Sequence, residues 1–430
     1  MLTVVDLRGY TGDLATALPR AAVDRDAVRA QVRERVAAVR RGGDAAARED
    51  RARFGGGDGP LLVPPNDIAQ AASSCDPALL EAITLAAARI RAYHERQLSE
   101  ERAPFWRAGR QGAWVGEESR PVARAGCLVP GGLAPLASTV LMTVIPARVA
   151  GVGDVVVCAT PGSDGHVHPT TLAACAVAGA GDVFALGGPA AVAALAYGTE
   201  TIRRVDVIAG PGGIWTTMAK HEVALDVGVD SFAGPTEVVI VADDSAPARY
   251  IAADLVAQAE HDPLATSVLI TPSHELAEAV DAALADEVAR APRRDEIVKA
   301  LEGQGRTIVV ESLERAFEVA NEFAPEHLEV MVADLDRWLP VVRNAGAVFA
   351  GPCSPVALGD YVAGTNHVLP TAGSARFASP LRVSTFITSS AVIAFERSGL
   401  DEVGPALVAL AEAEGLDAHA RALRIRLEDA

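Results

Sequence analysis

From about residue 124 onward the chain repeats one pattern: a short β-branched run, a turn of glycine or proline, then a longer Ala- and Leu-rich stretch at helical spacing. Alternation of this kind predicts strands and helices wound into a parallel sheet. A first series of strands is expected at 126–129, 154–159, 182–186 and 205–209, with turns at Pro130–Gly132, Pro161-Gly162, Gly187-Gly188 and Gly210–Gly213. In such sheets ligands settle outside the carboxyl ends of the strands, where these glycines fall. A second series at 237–242, 266–271, 307–311 and 347–350 has the same rhythm without a residue-level repeat, which predicts a duplicated fold.

The flanks differ. Residues 20–118 are Arg-rich with helical spacing, broken at Gly55–Pro60 and Pro64-Pro65, and read as helices joined by loops. Their Arg cluster suits a solvated helix face or a binding surface. From about Pro380 a strand-like run at 382–387 and two helical stretches separated at Gly415 make a segment too small to fold alone. It is expected to dock on another surface, a partner subunit being the natural one. The fold class is therefore α/β: two similar, incomplete Rossmann-like parallel-sheet domains, a helical N-terminal region and a small C-terminal docking tail. The expected limits are 1–120, 121–235, 236–379 and 380–430.

Composition narrows the function. Only 4% of the residues are aromatic, too few for a platform on which bases stack, and the net charge of −18 repels both nucleic acid and anionic membrane. A phosphate-bearing cofactor would have to be held by local groups such as helix N-termini. Five scattered cysteines without a C-x-x-C pair read as reduced, mostly buried thiols of a cytoplasmic protein. Charge at Asp6 and Arg8 precedes any apolar run long enough for export. The stretch 139–160 contains Pro146, Arg148 and Asp154, so it suits a buried helix and strand better than a membrane span.

No turn completes G-x-G-x-x-G with a strand before it and a helix after it. Gln258 and His261 stand three apart at the end of a helix that Asp262-Pro263 must stop, either sharing one face as ligands or serving the helix dipole. Glu326 and His327 follow Pro325, where a turn or helix start would let an acid and an imidazole serve one pocket. Asp360 and His367 lie in a Gly- and Pro-framed polar loop, and Glu414 and His419 flank a helix junction at Gly415. Imidazole and carboxylate donors without a cysteine suit a catalytic zinc site.

The most specific stretches are Val229-Asp-Ser-Phe-Ala-Gly-Pro-Thr-Glu237, Gln258-Ala-Glu-His261, Asn321-Glu-Phe-Ala-Pro-Glu-His327 and Gly359-Asp-Tyr to Gly364-Thr-Asn-His-Val-Leu-Pro-Thr371. In that order they resemble the histidinol dehydrogenase family over nearly the whole chain. The resemblance implies a homodimer that oxidises L-histidinol through the aldehyde to L-histidine, the last steps of histidine biosynthesis, with two NAD molecules and one zinc per site. Its zinc ligands would be Gln258, His261, Asp360 and His419, the last reaching a partner's site. Glu326 and His327 would be the acid/base pair, with Thr236, His367 and Glu414 also lining the substrate.

Leu128, Ala190 and Gly213 depart from the polar residues the family commonly holds on the cofactor side, and Trp215 nearby offers a stacking surface. Two other readings are a paralogue oxidising another small alcohol, such as a sulfonated propanediol, to a carboxylate, and a catalytically silent zinc-binding homologue.

Overall fold

The computed structural model describes residues 1–430 except 19, 21–23, 102–104, 111, 132–134 and 429–430. Gly132, in the first expected turn, is thus outside the described residues. The chain divides into two compact units, one of residues 1–97 and 123–386, the other of residues 98–122 and 387–430.

In chain order the strands are β1 (Thr3–Asp6), β2 (Phe105–Arg110), β3 (Ala113–Pro121), β4 (Arg124–Val129), β5 (Asp154–Ala159), β6 (Val183–Ala185) and β7 (Val207–Ala209). They continue with β8 (Gly228–Val229), β9 (Glu237–Ala242), β10 (Thr266–Thr271), β11 (Arg306–Val309), β12 (His327–Met331), β13 (Ala347–Ala350) and β14 (Ile387–Phe395).

In the larger unit two wholly parallel sheets form, with orders β6-β5-β4-β7-β8 and β1-β11-β10-β9-β12-β13. Their central strands are continuous apolar runs because helices cover both faces and leave no face for water. Counting from the first strand of each series, both orders read third, second, first, fourth, fifth, with β1 added beyond β11. The duplication expected from the rhythm of the sequence is therefore present in the strand order. Each sheet changes winding direction between its first and fourth strands, at β4/β7 and at β9/β12, where doubly wound sheets open a crevice.

The first core joins Leu128, Val156, Phe184 and Ile208 of the sheet to the small side of the helix Gly188–Tyr197 and to Val32, Val36 and Val39 of the helical segment Arg25–Arg53. That segment bends at Gly43, whose φ is +53°. A Cβ there would lie 2.3 Å from the Glu200 carboxylate, which instead accepts the Asp44 amide at 2.8 Å. The second sheet is packed on one face by the helices Ala248–Ala259, His274–Arg290 and Arg294–Gln304. Its other face holds Leu313–Phe323, where Phe317 stacks on Trp338 with centroids 5.0 Å apart.

The smaller unit is an antiparallel sheet, β14-β3-β2, with two helices, Arg397–Ala413 and Asp417–Glu428. Here the structure corrects two expectations. Residues 20–118 are not all helix and loop, since β2 and most of β3 fall within them. β2 is exposed and β3 mostly half-buried, so charges interrupt them and no apolar run marks them. The expected strand at 382–387 is a 3₁₀ turn, Val383–Phe386, and extended pairing begins only at Ile387. Among the described residues no helix is long and apolar enough to cross a membrane.

Gly43→Ala should destabilise the protein by about 1–3 kcal/mol, since it combines positive φ with a clash on Glu200. Urea unfolding measures this, and an unchanged midpoint would contradict it.

Candidate active site

Strand pairing assembles the site. β12 runs parallel to β9 with His327 opposite Val238, so Glu326 and His327 arrive beside Thr236 and Glu237 at the amino ends of two adjacent strands. Glu326 lies just before β12 and His327 opens it, which corrects the expected turn or helix start: pairing with β9 and β13 draws the backbone straight at this point. The two side chains still serve one pocket because the acid precedes the regular strand. Glu326 Oε2 is 3.6 Å from His327 Nδ1.

A chain of hydrogen bonds fixes the acid. Gln258 Nε2 donates to Thr236 Oγ1 at 2.7 Å, and Thr236 Oγ1 donates to Glu326 Oε2 at 2.5 Å. The Glu237 amide donates to the same carboxylate oxygen at 2.9 Å. Burial raises Glu326 to about 7, with these two donors pulling the other way. His327 Nδ1 donates to the Glu237 carbonyl at 2.9 Å, which leaves Nε2 as its basic nitrogen. Burial holds this imidazole below its ordinary range, while Asp360 acts in the opposite direction.

Thr236, His261, Glu326, His327, Asp360 and His367 line one cavity of about 280 Å³. His367 donates from Nδ1 to the Asp360 carbonyl at 3.0 Å and faces Thr139 with Nε2 at 3.4 Å. Burial lowers it to about 4, so it is neutral near pH 7. The helix carrying Gln258 ends at Ala259, earlier than expected, and His261 follows it with its ring 4.0 Å from Asp360 Oδ2. Gln258 is buried, and among the described residues its Oε1 has no hydrogen-bond partner. Glu414 and His419 belong to the smaller unit, where both are exposed at the junction of its two helices.

Another part of the lining follows strands of the first sheet: Pro130 follows β4, Pro211, Gly212 and Gly213 follow β7, and Ala233 and Gly234 follow β8. The turn after β7 is held from behind. Gly210 has φ +119°, and a Cβ there would lie 2.3 Å from the Leu128 carbonyl. Its amide donates to Asp230 Oδ2 at 2.7 Å, while buried Lys220 bonds both Asp230 and the Gly210 carbonyl. Sequence reasoning missed this pair, although Lys220 is one of two lysines in a chain whose other basic side chains are arginine. It also missed Ser138, Thr139 and Tyr361, which line the cavity but stand in apolar or already assigned segments.

Of the cofactor-side departures, Leu128 and Ala190 lie inside the first core, whereas Gly213 opens on the cavity with nothing within 4 Å of a Cβ position. Trp215 packs against Phe54 with centroids 6.5 Å apart and lies under Arg35.

Two doubly wound sheets sharing one cavity, with a buried carboxyl and a neutral imidazole in it, define an α/β enzyme equipped for proton transfer, and comparison with known proteins identifies its class as oxidoreductase. The histidinol dehydrogenase profile matches residues 18–427, and the chain belongs to the histidinol dehydrogenase family. It is 48% identical over 403 residues to the histidinol dehydrogenase of Synechococcus sp. (strain ATCC 27144), covering 92% of each chain. It is 46% identical over 391 residues to that of Parasynechococcus marenigrum (strain WH8102), covering 91% of this chain and 89% of the relative. The crystal structure of histidinol dehydrogenase from Elizabethkingia anophelis superposes with a TM-score of 0.94 at 30% identity, covering 100% of this chain and 98% of that one.

Because the folded state prefers Glu326 protonated, its contribution is favourable below the ordinary carboxylate range and is lost as pH rises through about 7. Glu326→Gln should therefore stabilise the protein by up to about 3 kcal/mol at pH 8 and have little effect at pH 4. Urea unfolding at both pH values checks this, and an equal difference at both would contradict it.

Proposed function

We propose that the chain oxidises L-histidinol through L-histidinal to L-histidine, using two NAD molecules in succession and one zinc per site. The observation that carries this reading is the buried Glu326 carboxyl beside a neutral His327 in the cavity shared by the two sheets. The names of the relatives favour histidinol over another small alcohol.

The residues present suit the two groups. Gln258 Oε1 is a buried acceptor without a donor among the described residues, and His261 and Asp360 face each other on the cavity that Thr236, the partner of Gln258, also lines, so all three suit a cation. Among the described residues no cluster of three His, Cys, Asp or Glu could hold a metal, so this reading needs the amide of Gln258 and a ligand from outside that set. We assign the fourth position to His419 from a second copy of the chain in a homodimer, with Glu414 of that copy at the substrate. Zinc held there would orient the imidazole and amino nitrogens of the substrate. For NAD, which accepts hydride, the cavity offers Pro211–Gly213 at the amino end of the helix Ile214–Val223, where backbone N–H groups favour phosphate.

With Nδ1 committed to the Glu237 carbonyl, His327 takes the alcohol proton on Nε2 as hydride leaves the carbinol carbon. Glu326, ionised above about pH 7, then removes a proton from the water that adds to the aldehyde. The hydrate anion so formed loses the second hydride to NAD and its remaining hydroxyl proton to become the carboxylate. Thr236 fixes the Glu326 carboxylate, and His367 lines the same cavity as a neutral hydrogen-bonding group.

Given zinc, NAD and L-histidinol, the purified protein should form two NADH per histidinol, and none with this substrate would overturn the reading. Glu326→Gln should slow the aldehyde-to-acid step roughly 10²–10⁴-fold while zinc stays bound. Metal analysis with product stoichiometry tests this, and loss of zinc would contradict the assigned role. Mixing His327→Ala with His419→Ala subunits should restore activity in mixed dimers, whereas no recovery in confirmed mixed dimers would place His419 at its own subunit's site.

A further inference from the structure

A second pair of carboxyls, Asp254 and Glu329, does not line the cavity. Asp254 lies one turn before Gln258 on the helix Ala248–Ala259. Glu329 is two residues beyond His327 on β12 and is 1% exposed. Its Oε1 accepts the amide of Val356 at 3.1 Å, and Val356 opens the short helix Val356–Tyr361 that carries Asp360. Its Oε2 is buried and meets no donor among the described residues. Asp254, also a carboxyl, lies in hydrogen-bonding reach of the Glu329 side chain.

Two ionised carboxylates are acceptors only, so this contact becomes a hydrogen bond when one of them carries a proton. The surroundings favour that proton. Burial raises Asp254 to about 6, and burial followed by the Asp254 charge lifts Glu329 well above the ordinary carboxylate range. The residues opposite Glu329 on the adjoining strands, Ile240 and Phe349, are uncharged. Leucines would fill similar space without desolvating two acids, so bulk alone does not call for carboxyls here.

The pair therefore ties together three elements that carry Gln258, His327 and Asp360. We propose that Asp254 and Glu329 act together as positioning residues, holding the helix of Gln258 against the helix of Asp360 so that both side chains meet a divalent cation. This rests on the metal reading above. Neither residue is itself a ligand; each acts by orienting the groups that are.

The test compares Glu329→Gln with Glu329→Leu in the full-length protein, measuring zinc affinity by competition with a chromophoric chelator and thermal unfolding without metal. The glutamine carbonyl can accept from Val356 and its amide can donate to Asp254, so Glu329→Gln should keep zinc affinity within about threefold. Glu329→Leu should lower it roughly 10–100-fold. Asp254→Asn against Asp254→Ala repeats the comparison from the other side should the leucine variant not fold. Zinc affinity unchanged in Glu329→Leu and Asp254→Ala, or lost as fully in Glu329→Gln as in Glu329→Leu, would overturn the proposal. A lowered unfolding temperature with unchanged zinc affinity would also overturn it, leaving a structural role only. Absence of zinc from the unsubstituted protein would overturn the metal reading and this inference together.

Discussion

The parallel pairing of β9 with β12 is the interaction on which the site depends. It places the segment ending at Glu237 against the segment beginning at Glu326, about 90 residues later, and nothing local in either segment would do so. Once they are paired, the Glu237 amide and carbonyl reach in opposite senses, one donating to Glu326 and the other accepting from His327. A single peptide position thus fixes the carboxylate of the acid and the tautomer of the imidazole. Backbone groups suit this task because the strand already holds them rigid.

The two sheets contribute different edges to the same cavity. The first offers the carboxyl ends of β4, β7 and β8, as the rule for doubly wound sheets predicts. The second offers the amino ends of β9 and β12, which that rule does not anticipate. A duplicated fold can work this way because its copies face one cavity with opposite ends of their strands. One copy can then present glycine turns and helix N-termini while the other presents acid, imidazole and amide side chains.

Burial sets the chemistry. Glu326, Glu237, Asp254 and Glu329 are all pushed upward first by loss of water, and His327 and His367 downward for the same reason. The result near neutral pH is imidazoles able to accept protons and a carboxyl poised between its two states. Lys220 and Asp230 show the opposite solution, an ion pair whose geometry satisfies both partners and holds the turn beneath the cavity.

The alternation of apolar runs and glycine turns determined the parallel sheets and their duplication, because strands buried on both faces must be apolar throughout. The exposed strand β2 and the half-buried strand β3 left no such mark, and β1 entered the second sheet by pairing with β11, a partner about 300 residues away. In the site, the residue types and order of Gln258, His261, Glu326, His327, Asp360 and His367 were legible because imidazoles, acids and amides stand out in Ala-, Val- and Leu-rich sequence. The placement of His327 on a strand, the exit of His261 from its helix, and the partnerships of Thr236 with Glu326 and of Glu329 with Asp254 were decided only by tertiary structure. Each depends on register between strands or on the approach of a helix to a sheet, and those are set by long-range packing, which local sequence pattern does not encode.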